Sequence, residues 1–425
     1  MIKLKTQTNN FIKNIAEKGF FHLLSANFLI QILAFGSQLF VAGILSPDDI
    51  GRIKIIQTFI SIFSIISGLG LSASTLKLCS ENRSKDEHLK LFGTAILATF
   101  ISATSIYAII IIINIFGIFS TDKTIQYLIP LGLLPIIFNS IFLVFVNYFQ
   151  AIRRIKLFSK LAMTNKLMSI IAIILFAYLF GINGYFIAYN LSLIIMVYIT
   201  YKAIKKENDN KPLEFKSLKL FPTHWKYARS SMFANIFAEF SAYIDIILIS
   251  LFIYDMKEVG YYSFSLTLTV ALRIFPSSVQ QIASPYFSSF AFQRDEIHKI
   301  FRRYNKILII VIIITLLGSL LIVPIFINFI FQGKYDHAMH YFLFLAIGWS
   351  IRQLTQLQSG AIFGMGKIHY NALTSLISLI INIILYSAFM SHFGLIGAAY
   401  ACIPAGIIIY LTSYLFFKKA LNELA

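Results

Sequence analysis

Arg273 and Arg352 each fall near the centre of a long apolar segment. A charge at mid-bilayer costs roughly 2.5–3.5 kcal/mol on insertion scales, so it persists where it meets a water-filled cavity or a partner. Ser265, Thr269, Arg273, Ser277 and Gln280 recur at spacings of four and three, which makes one polar stripe on a helical face. Arg352, Gln356 and Ser359 repeat the pattern, with Thr355 beside them. Two guanidinium groups in a cleft of low dielectric would grip an anionic headgroup such as a pyrophosphate, each bidentately. Arg273, Arg352, Gln356 and Gln280 are therefore the expected headgroup ligands.

Glu239 and Asp245 lie in the preceding apolar segment. They leave a second reading open, in which two cations and two carboxylates form buried ion pairs that only hold helices together. Six residues apart, they point roughly 120° apart around a helix, so one can pair while the other faces solvent. A carboxylate so placed is also a natural proton or sodium site. Pro276, Pro285, Pro130 and Pro135 are positioned to kink helices around a cavity. Lys166, near the end of its segment, is expected to snorkel to the interface. Gln31, Gln38, Asn139 and Asn147 are expected in interhelical hydrogen bonds.

The elements that carry these residues are transmembrane helices. The 425 residues are 58% hydrophobic and 13% charged, against about a quarter charged in soluble domains. About twelve segments have the ~20 apolar residues that cross a bilayer: 20–44, 53–76, 91–119, 126–149, 161–181, 183–201, 228–253, 259–283, 307–331, 338–362, 371–390 and 394–417. None alternates as a barrel strand would, so the fold expected is an all-α polytopic membrane protein.

The net charge of +18 reports topology and not a nucleic-acid partner. With the N-terminus inside, most basic residues gather on that side. They are Lys3, Lys5, Lys13 and Lys18, then Lys77, Arg83, Lys85 and Lys90, then Arg153, Arg154, Lys156 and Lys160. The central loop follows with Lys202 to Arg229, then Arg294 to Lys306, Lys367, Lys418 and Lys419. Arg52, Lys54, Lys123, Lys257 and Lys334 fall outside. This is the positive-inside asymmetry, and it puts both termini in the cytoplasm. By the same reading the N-terminal half has no charge at mid-membrane.

Cys79 and Cys402 make no disulfide framework. The eight histidines show no metal-ligand spacing, and no phosphate-cradling glycine loop occurs. No metal, cofactor or catalytic residue is expected. The first apolar run is an uncleaved span rather than a signal peptide.

The polar stretch 202–227, with Glu-Asn-Asp-Asn-Lys-Pro at 207–212, reads as a basic cytoplasmic linker between an N-terminal lobe, 1–201, and a C-terminal lobe, 228–425. An internal repeat supports this. Ser46-Pro47-Asp48-Asp49-Ile50-Gly51 closes the first span, and Tyr254-Asp255-Met256-Lys257-Glu258-Val259-Gly260 closes the seventh. Gly181-Ile182-Asn183-Gly184 joins spans five and six, as Gly394-Leu395-Ile396-Gly397 joins eleven and twelve. Each pair is about 210 residues apart. Six spans per lobe is even, so the lobes enter the membrane the same way round. Such parallel repeats flank a substrate path and rock about it.

The opening pattern, Leu45 to Gly51 followed by a span from Ile53 to Gly68-Leu69-Gly70-Leu71 and a basic, serine-rich loop, resembles the polysaccharide-export branch of the superfamily that also contains multidrug and toxin extruders. Within it the chain is most similar to the O-antigen flippases of the Wzx type. The resemblance covers essentially the whole chain and implies a MATE-like fold of two six-helix lobes. It implies transport of an undecaprenyl-pyrophosphate-linked oligosaccharide from the cytoplasmic to the periplasmic leaflet of a bacterial inner membrane. Arg273 and Arg352 would correspond to the cationic cavity of that family. The implied partners are the lipid-linked substrate, membrane lipids, and the polymerase and chain-length proteins of polysaccharide assembly. Three alternatives remain: a cation-coupled multidrug exporter, for which Glu239 and Asp245 speak; a membrane enzyme of polysaccharide assembly, which would need a sizeable outside loop where none exceeds about ten residues; and a non-transporting scaffold.

Overall fold

The computed structural model describes residues 20–208, 217–252 and 255–424. Lys3, Lys5, Lys13, Lys18, Lys211, Lys216, Tyr254 and most of the 207–212 motif lie outside them. The first half contributes α1 (Phe20–Ile44), α2 (Pro47–Gly68), α3 (Leu71–Cys79), α4 (Lys85–Ile115), α5 (Lys123–Leu133), α6 (Pro135–Ala151) and α7 (Ile155–Glu207). The second contributes α8 (Phe221–Phe252), α9 (Met256–Ser289), α10 (Arg294–Phe331), α11 (Ala338–Gln353), α12 (Thr355–Gly364), α13 (His369–Phe393) and α14 (Leu395–Asn422).

Local chemistry explains where helices begin. Ser46 caps α2 by accepting from the Asp49 amide, with Pro47 in the first turn and Asp48 and Asp49 at the positive end of the dipole. Ser84 and Glu87 form a reciprocal capping box on α4. Breaks are equally local. Leu69 and Gly70 are left-handed (φ 48° and 66°) and separate α2 from α3. The polypeptide therefore crosses this region as two unequal helices, where the sequence suggests one.

Among the described residues, eight helical stretches are long and apolar enough to cross a membrane by themselves, α5 and α6 counting together. The 53-residue α7 would measure about 80 Å if straight. It is divided at Gly181, and Ser169 Oγ lies 2.8 Å from Ser192 Oγ, so its two arms run back antiparallel. The 34-residue α9 is not among the eight, because its polar stripe dilutes its apolar character. On α10, Ile314 and Leu321 are 64% and 71% exposed, so this face is dressed for lipid rather than for a protein core.

The helical core runs across the junction of the halves. Ile55, Ile56 and Phe59 of α2 share one buried cluster with Tyr262 and Phe264 of α9 and Phe342 of α11. At the end of the bundle carrying the α1–α2 turn, α2 and α9 meet at glycines. A Cβ on Gly51 would lie 2.8 Å from the Met256 carbonyl oxygen and 2.9 Å from the Gly260 amide nitrogen. Gly51 and Gly260, the two glycines paired in the sequence reading, thus touch each other. The second pair of markers matches in backbone too. Gly181 has φ 62°, ψ −144° and Gly394 has φ 66°, ψ −149°, a region that glycine alone adopts readily.

Both ends of the junction are bridged. Near the α1–α2 turn, Lys334 Nζ donates to the carbonyls of Ala42 and Gly43, each at 2.9 Å, and the Tyr335 hydroxyl donates to Ala42 at 3.1 Å. At the opposite end His224 of α8 is fully buried. Its Nδ1 lies 2.7 Å from Ser74 Oγ and its Nε2 3.0 Å from the Leu91 carbonyl. The α1 ring of Phe28 packs edge-on against Phe275 of α9, 5.6 Å between centroids.

Candidate substrate cavity

Between these bridges lies a cavity of about 600 Å³ at the junction of the two halves. The first half lines it with α1, α2, α6 and α7, the second with α8, α9 and α11. Its size falls within the range of ligand sites, roughly 300–1,000 Å³, but its lining is more polar than most.

Three cations line it: Lys54 of α2, Lys166 of α7 and Arg273 of α9. The carboxylates Glu239 and Asp245 of α8 line it as well. Among the described residues, no ion pair within 4.0 Å includes any of these five groups. Asp245 is only 6% exposed and accepts a hydrogen bond from the buried Tyr262 hydroxyl at 2.7 Å. The surface a solute meets is therefore shaped mainly by Lys54, Lys166, Arg273 and Glu239. Cation outnumbers anion there, in a space where field lines from low-dielectric walls are concentrated.

Aromatic and amide groups complete the lining. The Lys54 ammonium sits 5.7 Å from the ring centroid of Tyr243, an attraction that spans the junction. The Gln57 amide donates to the Tyr185 hydroxyl, which ties α2 to α7 across the cavity wall. Gln38, Asn139, Asn165 and Tyr189 also line the cavity, and the Asn165 Oδ1 is buried without a hydrogen-bond partner. Such groups suit a polyhydroxylated ligand, which offers both donors and acceptors.

Of the expected headgroup ligands, only Arg273 lines the cavity. Arg352 sits behind Trp349: the guanidinium carbons of Arg273 and Arg352 lie 5.4 and 5.2 Å from its ring centroid, and Trp349 lines the cavity while Arg352 does not. Arg352 Nη2 donates to Asn382 Oδ1 at 2.8 Å, and Asn382 Nδ2 donates onward to the Ser241 carbonyl at 2.8 Å. The Arg352 Nε stays unpartnered. Gln356 donates to Gln353 and keeps a buried, unpartnered Oε1. Gln280 packs against α12, where a Cβ on Gly360 would lie 3.3 Å from its Cγ. The physical reason is the rotation of α11, which places Trp349 at the cavity and turns Arg352 to Asn382 of α13.

Two cations depart from their expected places. The charge count sets Lys54 outside, yet the Ser46-Pro47 cap starts α2 at residue 47, which sinks Lys54 two turns into the helix. Lys166 faces the cavity instead of reaching back to the interface. The first half thus does supply charge to the middle of the bundle. The signal available was the cap itself. The tyrosines and Trp349 carried none beyond their type.

A family model described as polysaccharide biosynthesis protein matches residues 16–291, and the chain belongs to that family. Among curated proteins no sequence matches. Among solved structures, the fold is similar to the lipid II flippase MurJ in an inward closed conformation (TM-score 0.78, 19% identity, covering 95% of this chain and 90% of that one). It is also similar to an inward-facing multidrug resistance MATE family transporter of the MOP superfamily (TM-score 0.71, 12% identity, 93% and 95%). A third is a mutant of the Vibrio cholerae MATE transporter VcmN (TM-score 0.66, 13% identity, 98% of each). The fold is MATE-like, as the resemblance in the sequence implied.

Proposed function

We propose that this chain is a flippase that carries a lipid-linked oligosaccharide across the membrane. The observation that carries the reading is the cavity at the junction of the halves, lined by Lys54, Lys166 and Arg273, with no ion pair to any of them among the described residues. The substrate proposed is an undecaprenyl-pyrophosphate-linked repeat unit of O-antigen type, moved from the cytoplasmic to the periplasmic leaflet of a bacterial inner membrane. The family description and the flippase among its structural neighbours support this choice.

In this mechanism the three cations hold the diphosphate by charge-assisted hydrogen bonds, Arg273 as a fork and the lysines as point charges. Gln38, Gln57, Asn139 and the tyrosines exchange hydrogen bonds with sugar hydroxyls. The polyprenyl chain stays in lipid. Rocking of the lobes opens one end as the other closes, with Glu239 or Asp245 carrying a coupling ion. No covalent bond changes, and no enzyme activity is proposed.

A strain lacking the gene provides the test. Complete lipid-linked repeat units should accumulate in the cytoplasmic leaflet and be cleared by the wild-type gene. Absence of accumulation, together with raised sensitivity to cationic drugs, would instead favour a multidrug exporter. The carboxylates in the cavity are the observation on which that second reading stands.

A further inference from the structure

A second pocket, about 380 Å³, opens at the end of the bundle that the positive-inside rule makes cytoplasmic. It lies in the first half, between the start of α4, the α6–α7 loop and the end of α7. It shares no lining residue with the central cavity. Arg83, Lys85, His88 and Arg154 bring basic groups to it from two separate stretches of chain, and Glu207 is the one acid among its described lining residues.

The arginines are each paired through Nε and Nη2 to one carboxylate, in partly or largely exposed positions. Arg83 Nη2 pairs with Glu81 at 2.7 Å and Arg154 Nη2 with Glu207 at 2.5 Å, with the arginine side chains 34% and 58% exposed. Exposed pairs of this kind contribute little, because water competes for both partners. A lipid phosphodiester, singly charged with two free oxygens, offers either guanidinium a bidentate acceptor in exchange. Tyr148 adds an independent sign. It lines the pocket and is 4% exposed, and its hydroxyl makes no hydrogen bond within the described residues. A hydroxyl with no protein partner at the wall of a basic pocket is a donor that a phosphoryl oxygen there can use.

One side of the pocket is apolar. Leu89, Ile152 and Ile204 line it, and Ile155, next to Arg154, is 47% exposed. A free phosphate has no use for that strip, whereas a lipid has an acyl chain to lay on it. We propose that this pocket binds the phosphoryl headgroup of an anionic bilayer lipid at the cytoplasmic surface. The site is separate from the transport cavity and independent of what that cavity carries.

Native mass spectrometry of the purified full chain, titrated with phosphatidylglycerol or phosphatidylcholine, tests it. Wild type should retain one phosphatidylglycerol at roughly tenfold lower lipid concentration than phosphatidylcholine. Arg83→Gln with Arg154→Gln should erase that preference, and Tyr148→Phe, which keeps the packing, should weaken it roughly threefold. Raising the salt on wild type should release the lipid, which gives a readout that needs no variant. Equal retention of the two lipids by wild type, or a preference that survives the double substitution or high salt, would overturn the proposal. Complete displacement of the lipid by millimolar inorganic phosphate would also overturn it, by making the ligand a soluble phosphate.

Discussion

Two arginines of similar sequence context end in different roles. Arg273 lines the cavity, which Glu239 also lines, with no ion pair within 4.0 Å among the described residues, whereas Arg352 is bonded to Asn382 behind Trp349. Arg273→Ala is expected to lower transport roughly tenfold or more, since a charge-assisted hydrogen bond contributes about 1.5–3 kcal/mol. Arg273→Lys keeps the charge but loses the fork, so it should recover part of the rate. Arg352→Ala should act on the fold first. It strips Asn382 of a partner inside a fully buried site, so a melting temperature lowered by a few degrees should precede any loss of transport per folded molecule. The sequence announced that charge lay inside the membrane but not on which side of a helix it would emerge. That depended on the rotation of α11, which puts Trp349 at the cavity and Arg352 against Asn382, and which packing sets. Lys54 is the opposite case, since the Ser46-Pro47 cap that buries it was in plain view.

Among elements, the contact of α2 with α9 is the closest between the halves. Gly51 and Gly260 stand out in the sequence as small residues at helix starts; their meeting does not, because sequence spacing alone does not say which helices pack together. A methyl group on Gly260 would collide with the Pro47 carbonyl. Gly260→Ala is expected to destabilise the protein by about 1–3 kcal/mol, seen as a lower melting temperature, or to be accommodated by opening this end. The polar latch beside it offers a gentler handle. Lys334→Ala removes both hydrogen bonds to the end of α1 and should raise the labelling rate of a cysteine placed at Ser263 by a membrane-impermeant reagent added outside. An unchanged labelling rate would show that the latch does not hold this end closed.

For the whole molecule, composition and the long apolar runs sufficed to read a polytopic helical protein. What they could not provide was the cavity's lining, because seven helices contribute to it and their rotations are set by mutual packing. Residues 34 to 61 and 139 to 193 supply much of that lining. The N-terminal half consequently holds as much of the proposed substrate site as the half with the conspicuous arginines. Substituting either Lys54 or Lys166 with Ala is therefore expected to slow transport about as much as Arg273→Ala, with melting temperature little changed. Transport assays on equal amounts of folded protein would reveal this balance.

On the proposed mechanism, the cations of the junctional cavity grip the anionic headgroup of a lipid-linked oligosaccharide during its passage. The most direct test is leaflet-to-leaflet movement of a labelled polyprenyl-pyrophosphate oligosaccharide in proteoliposomes, comparing wild type with the triple substitution Lys54→Ala, Lys166→Ala, Arg273→Ala. Wild type should move the lipid, and the triple variant, folded and inserted to the same extent, should move it at least roughly tenfold more slowly. Equal rates in the two proteins, or no movement by wild type, would mean that these cations do not carry such a lipid through the cavity.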